Sequence, residues 1–288
     1  MPIPITEAVE ESAALARTKA VQAGRPGRYA VTSALAGAYV GVAVVLLFSV
    51  AGPLVAAASP TTKLVQGAVF GVALTLVVFA GAELFTGNVM YMLQGLMART
   101  VTATDLAAVW VASLLGNLAG SIGFAALVNA GGTLAAGGAP GKPGPGQAMV
   151  AAVVKAKDAA TGPQLFWRAV LCNMLVCLAL WMAGRTRSDG AKLVVLWWGL
   201  LAFIASGFEH SVANMTVFGL GVFGHVATWD QLWRNLAWTV PGNIVGGGLL
   251  VGVAYAWVVR PVAAPAELTV PVALEPPLEV SLQEAGGR

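Results

Sequence analysis

Two glutamates, a histidine and a threonine stand inside stretches that are otherwise almost entirely apolar. Glu83 and Thr86 lie in Gly81-Ala82-Glu83-Leu84-Phe85-Thr86-Gly87-Asn88, and Glu209 and His210 in Gly207-Phe208-Glu209-His210-Ser211-Val212-Ala213-Asn214. A carboxylate or unpaired amide in hydrocarbon costs several kcal/mol, so such groups persist only facing one another or a water-filled path. The two octapeptides share Gly, Glu and Asn at identical spacing. Glu83 and Glu209, with Asn88 and Asn214, are therefore expected to do one architectural job twice. In that job the carboxylates accept hydrogen bonds from backbone amides freed where helices break; a bare carboxylate would repel an anion. His210 breaks the symmetry, because its counterpart is Leu84. An imidazole at the membrane midplane can donate to a passing anion and exchange a proton with it, and Thr86 offers a hydroxyl at the opposite break.

The elements that must position these groups are membrane spans. Hydrophobic residues make up 58% of the 288 and charged residues 10%, and the mean hydropathy is +0.79. Windows of about 20 residues, the length that crosses the hydrocarbon core, give six apolar segments near 31–51, 64–97, 105–129, 165–184, 192–223 and 232–259. The second and fifth exceed thirty residues and carry polar residues in their middles, which predicts helices broken inside the membrane. Residues 1–29 carry acidic side chains and no short apolar stretch before a cleavage site, so they read as a cytoplasmic amphipathic helix rather than a signal peptide. The Gly/Pro tract 131–146 opens an exposed periplasmic connector over 131–164, dividing a first three-helix repeat (30–130) from a second (165–260). The Pro- and Val-rich residues 261–288 read as a cytoplasmic tail.

The halves repeat. The octapeptides are offset by 126 residues, as are Gly116-Asn117-Leu118-Ala119-Gly120 and Gly242-Asn243-Ile244-Val245-Gly246. Three spans is an odd number, so the second half enters the membrane upside down. The fold class is then an all-α membrane protein, six helices in a 3+3 inverted repeat with helices 2 and 5 broken and the pathway at the pseudo-two-fold axis. Ten basic residues (Arg17, Lys19, Arg25, Arg28, Arg99, Arg185, Arg187, Lys192, Arg260 and Arg288) fall on the N-terminal side, against six on the other. By the positive-inside rule both termini are cytoplasmic, in an inner membrane.

Other chemistries lack their residues. Cys172 and Cys177 are five apart, neither a CxxC pair nor a metal spacing. There is no HExxH and no GxSxG, no paired Asn-Pro-Ala of an aquaporin, and no twin histidine of an ammonium channel. The net charge of +3 forms no basic stripe for nucleic acid. An enzyme is not expected, nor a cofactor or metal.

In order along residues 30 to 260, SALAGAYVG (33–41), GAELFTGN (81–88), LGNLAGS (115–121), LCNMLVCLALWMA (171–183), AKLVVLWWGLLAFIASGFEHSVANMTVFG (191–219) and GNIVGGGLLVG (242–252) resemble the formate/nitrite transporter family, and within it the nitrite channels most. The resemblance implies an aquaporin-like protomer, a homopentamer with one pore per protomer, and a small monovalent anion as substrate. Nitrite leads; formate, hydrosulfide or a short carboxylate is the alternative. By motif position the family's central histidine falls on His210 and its loop threonine on Thr86. Its apolar constrictions fall on Phe70 and Phe203 toward the periplasm and on Leu74, Leu84 and Phe85 toward the cytoplasm. Its pore asparagines fall on Asn173 and Asn243, and its anion-attracting periplasmic lysine on Lys157. The chain departs at Gly87-Asn88, where nitrite channels carry Gly-His and formate channels Ser-Thr.

Overall fold

The computed structural model describes residues 1–139 and 141–259, and among them every regular element is helical. The tail expected over 261–288 lies outside the described residues. Helix α1 (Ile5–Ala23) leads at once into α2 (Pro26–Ala56), whose Pro26 occupies a first-turn position that needs no amide donor. Five helical stretches are long and apolar enough to cross a membrane: Pro26–Ala56, Thr62–Phe79, Ala103–Ala130, Gly162–Gly184 and Trp229–Val258.

The long apolar run over 64–97 is three helices: α3 (Thr62–Phe70), α4 (Val72–Phe79) and α5 (Phe85–Met97), with residues 80–84 non-helical. The run over 192–223 is α9 (Asp189–Ala205) and α10 (Ser211–Phe223), with residues 206–210 non-helical. Gly81 and Gly207 turn the chain out of α4 and α9 with φ of 77° and 75°, a left-handed conformation that a side chain would strain.

The local geometry keeps recurring at the 126-residue offset. Arg99 and His225 both adopt positive φ, 59° and 56°. Thr102 and Thr228 then cap α6 (Ala103–Ala130) and α11 (Trp229–Asn243) through capping boxes with Asp105 and Gln231.

Small residues let backbones touch, as membrane helices require where burial of apolar surface no longer drives association. A Cβ on Gly120 of α6 would sit 1.8 Å from the carbonyl oxygen of Ala34 on α2, and one on Gly246 would sit 2.0 Å from that of Val170 on α8 (Gly162–Gly184). Gly246 belongs to a π-helical stretch, Ile244–Val253, between α11 and α12 (Ala254–Val258).

Within residues 131–164, read as a connector, Pro145–Ala159 forms a helix, α7, that packs against α2 and buries Met149, Val150 and Val154. Each half is thus preceded by a docked helix. For α1 the docking uses two bonds between Arg185 and Ile3, just before the helix: Ile3 N donates to the Arg185 carbonyl at 2.9 Å and the Arg185 side-chain Nε donates to the Ile3 carbonyl at 2.9 Å, beside an ion pair from Arg187 to Glu11.

Candidate functional site

Helices α5 and α10 start against each other. His210 is the N-cap of α10, and its Nδ1 accepts the amide of Ala213 at 3.1 Å. With Nδ1 used as an acceptor, the neutral ring carries its proton on Nε2, and Nε2 stands 3.0 Å from Oγ1 of Thr86 in the first turn of α5. Two helix N-termini therefore abut through one hydrogen bond, and each brings the partial positive charge of its free amide ends to that spot. Thr86 is held from behind: its carbonyl accepts Nδ2 of Asn173 at 3.1 Å and the Cys177 thiol at 3.3 Å. Asn173 also donates to the carbonyl of Asn243 at 2.7 Å, while its own Oδ1 is buried without a partner.

The amides released at the two breaks go to asparagines. Phe85 N donates to Oδ1 of Asn117 at 2.8 Å, and Ser211 N to Oδ1 of Asn243 at 2.9 Å. The same side chains donate to the carbonyls of Glu83 (2.8 Å) and Glu209 (3.1 Å). This corrects the expectation that the glutamate carboxylates accept the freed amides. A carboxylate only accepts, whereas a primary amide serves the orphan N–H and the orphan C=O of a break together.

The carboxylates have other partners. Glu83 receives Nζ of Lys19 at 2.9 Å, Nδ2 of Asn88 at 3.0 Å and the Tyr29 hydroxyl at 3.2 Å. Glu209 receives Nζ of Lys157 at 2.7 Å and Nδ2 of Asn214 at 2.8 Å. Lys19 comes from α1 and Lys157 from α7, so each preceding helix delivers one cation to one break. An opposite charge is what a carboxylate at this depth most needs.

Two cavities approach the centre. One, of about 540 Å³, is lined by Lys19, Arg25, Arg28, Tyr29, Glu83 and Leu84 among others. The second, of about 270 Å³, is lined by Phe70, Lys157, Arg168, Phe203, Glu209 and His210 among others. The first touches α2 at Tyr29 and Thr32 and the second at Val44, Leu47 and Phe48. These positions lie roughly 18 Å or more apart along the helix axis, so the cavities open toward opposite ends of it.

Between them the packing is apolar. The Phe70 and Phe203 rings meet edge-on at 5.6 Å, and Phe203 stacks on the His210 ring at 5.9 Å. Leu74, Leu84 and Thr86 are buried. The Phe85 ring turns away from the Phe70–Phe203 pair to meet Trp110 of α6 edge-on at 6.5 Å; Phe85, like Leu74 and Thr86, lines neither cavity.

Sequence reasoning missed the roles of Asn117, Lys19, Tyr29 and Cys177. Asn117 left a signal in the Gly-Asn repeat. Lys19 left none, since only docking of α1 brings it to Glu83.

A family model described as formate/nitrite transporter matches residues 6–257. The nitrite transporter NirC of Salmonella typhimurium is 42% identical over 276 residues, covering 93% of this chain and 98% of that protein. A solved structure described as an FNT family ion channel superposes with a TM-score of 0.80 at 42% identity, covering 89% of this chain and all of that one. A pentameric formate channel with formate bound gives 0.67 at 26% identity, covering 82% of this chain and 98% of that one. With the family model matched over nearly its whole described length, this chain belongs to the formate/nitrite transporter family.

Proposed function

We propose that the chain is a pore for a small monovalent anion, nitrite, across the cytoplasmic membrane. In this reading six spans form a three-plus-three inverted repeat, with the second and fifth broken at 80–84 and 206–210. The recurrence of caps, turns and asparagine clamps 126 residues apart supports it. The bias of basic residues supports cytoplasmic termini. Assembly as a homopentamer is supported by the pentameric formate channel it resembles. Nitrite follows the relative named for it; formate is the second reading, favoured by the formate-bound neighbour.

The observation that carries the proposal is the Thr86–His210 hydrogen bond at two converging helix N-termini between two cavities. Lys157 lines one cavity while paired with Glu209 and so holds the break beside His210, and Phe70, Phe203, Leu74 and Leu84 strip water from an entering ion. At the centre, Nε2–H of His210, the Thr86 hydroxyl and the helix ends replace the lost hydration, with Asn173 and Asn243 holding the Thr86 and Ser211 backbones. An imidazolium would need a proton on Nδ1, displacing the Ala213 amide from its cap. His210 therefore stays neutral and donates a hydrogen bond, and the anion takes its proton from water. Crossing as the neutral acid avoids burying a charge among the apolar rings.

The test is flux into proteoliposomes. Nitrite is expected to enter faster than formate and far faster than chloride, and His210→Phe to remove the uptake. Flux no faster than in empty vesicles would overturn the proposal.

A further inference from the structure

The cavity that holds His210 is lined by three charged side chains among the described residues, Lys157, Arg168 and Glu209. Two of them cancel. Lys157 and Glu209 are paired at 2.7 Å, with side chains only 16% and 5% exposed. Their joint field beyond a few ångströms is that of a dipole, which attracts an approaching anion far less than a free cation does. The Arg168 guanidinium has no hydrogen-bond or ion-pair partner among the described residues, and its residue is exposed. The Arg168 backbone is anchored, because its carbonyl accepts the amide of Glu209 at 3.2 Å. That bond ties this turn of α8 to the break beside His210.

The opposite cavity repeats the arrangement. Lys19 is balanced by Glu83 at 2.9 Å, and Arg25 and Arg28 line the same space. On both sides the lysine–glutamate pair belongs to the frame of the break, and an arginine supplies uncompensated charge.

We propose that Arg168 is the docking residue for anions entering from this cavity and that it favours planar anions with two oxygens. A guanidinium presents parallel N–H donors that match the two oxygens of nitrite or formate, and it retains its charge at every pH the membrane meets. A lysine offers a point charge with no such geometry. Hydrosulfide, with a single acceptor atom, gains the charge but not the fork. The docked anion is then next to the Phe70–Phe203 pair, with His210 behind it. This inference rests on the pore reading and assigns its entry step.

The experiment measures concentration-dependent uptake of nitrite and hydrosulfide in right-side-out and inverted membrane vesicles carrying wild type, Arg168→Gln or Arg168→Lys. Arg168→Gln is expected to raise KM for nitrite about fivefold for entry from the Arg168 face, at unchanged maximal flux and with a weaker dependence on salt. Entry from the opposite face keeps its KM. Arg168→Lys is expected to restore the hydrosulfide KM while leaving that for nitrite about threefold high. Unchanged maximal flux also reports that each variant is folded. A conducting wild type with Arg168→Gln indistinguishable from it at both faces would overturn this inference alone. Equal recovery of both substrates by lysine would overturn the preference for planar anions, and a wild type that conducts nothing would overturn the pore reading with it.

Discussion

Nε2 of His210 lies 3.0 Å from Oγ1 of Thr86 while Nδ1 of the same ring caps α10 through the Ala213 amide. The imidazole is thus used at both ends, one nitrogen for the fold and one for the centre. An asparagine can do both jobs, since its oxygen caps helices well and its amide nitrogen donates. His210→Asn is expected to keep at least about a third of wild-type nitrite flux and its rise at low pH, whereas His210→Phe, with neither group, loses both. Uptake at several pH values distinguishes these. If His210→Asn were as inactive as His210→Phe, the imidazole would be needed as a proton carrier and the neutral-ring account would fail.

Thr86 is asked for a hydroxyl at one point. Thr86→Val keeps the shape and removes that group, leaving Nε2–H of His210 without its buried acceptor. An unmet buried polar group costs about 1–3 kcal/mol, so detergent stability is expected to fall by a few degrees, and flux, which uses the hydroxyl at the centre, to fall roughly tenfold. Thr86→Ser, which keeps the hydroxyl, should recover most of it. Equal flux in Thr86→Val and wild type would remove the hydroxyl from the pathway.

Asn117 and Asn243 clamp the two breaks with matched bonds, yet only Asn243 is close to the Thr86 support through its carbonyl. Replacing either with Ala orphans a buried amide and its carbonyl partners, about 2–4 kcal/mol together. For a chain of this length that corresponds to a Tm lower by roughly 3–7 °C. Thermal unfolding of each variant in detergent checks it; a change below about 2 °C for both would contradict the clamp assignment.

The Lys157–Glu209 pair is mostly buried, so removing one partner is expected to harm more than removing both. Glu209→Gln and Lys157→Met should each reduce the yield of folded protein, and the double variant should recover part of it. A coupling of at least about 1 kcal/mol in the double-mutant cycle is expected. Strict additivity would show that the two groups act independently.

Much of this site is legible in the sequence because its groups are chemically out of place. Glu83, Glu209 and His210 inside apolar runs declare that something must satisfy them, and their spacing shows that the satisfaction occurs twice. What partners them is less legible. The lysines arrive on α1 and α7, whose docking depends on tertiary packing, and α7 is masked by the Gly/Pro residues that precede it. The exchange of roles between glutamate and asparagine shows the same limit. Spacing reveals that Asn117 and Asn243 correspond, but only the geometry shows that one amide side chain meets both orphan groups of a break. Phe85 sits next to Leu84 in sequence, yet its ring turns to Trp110, because neighbours at the start of a helix point to different faces.

The measurement that bears most directly on the centre of the account is the lumenal pH of proteoliposomes, followed with a trapped dye after an inward nitrite gradient is imposed. An anion that crosses as its neutral acid releases a proton on arrival. Rapid lumenal acidification is expected with wild type, none with a chloride gradient, and none with His210→Phe. Nitrite entry that leaves lumenal pH unchanged and instead builds a membrane potential would contradict it, because the ion would then be crossing the Phe70–Phe203 constriction with its charge intact.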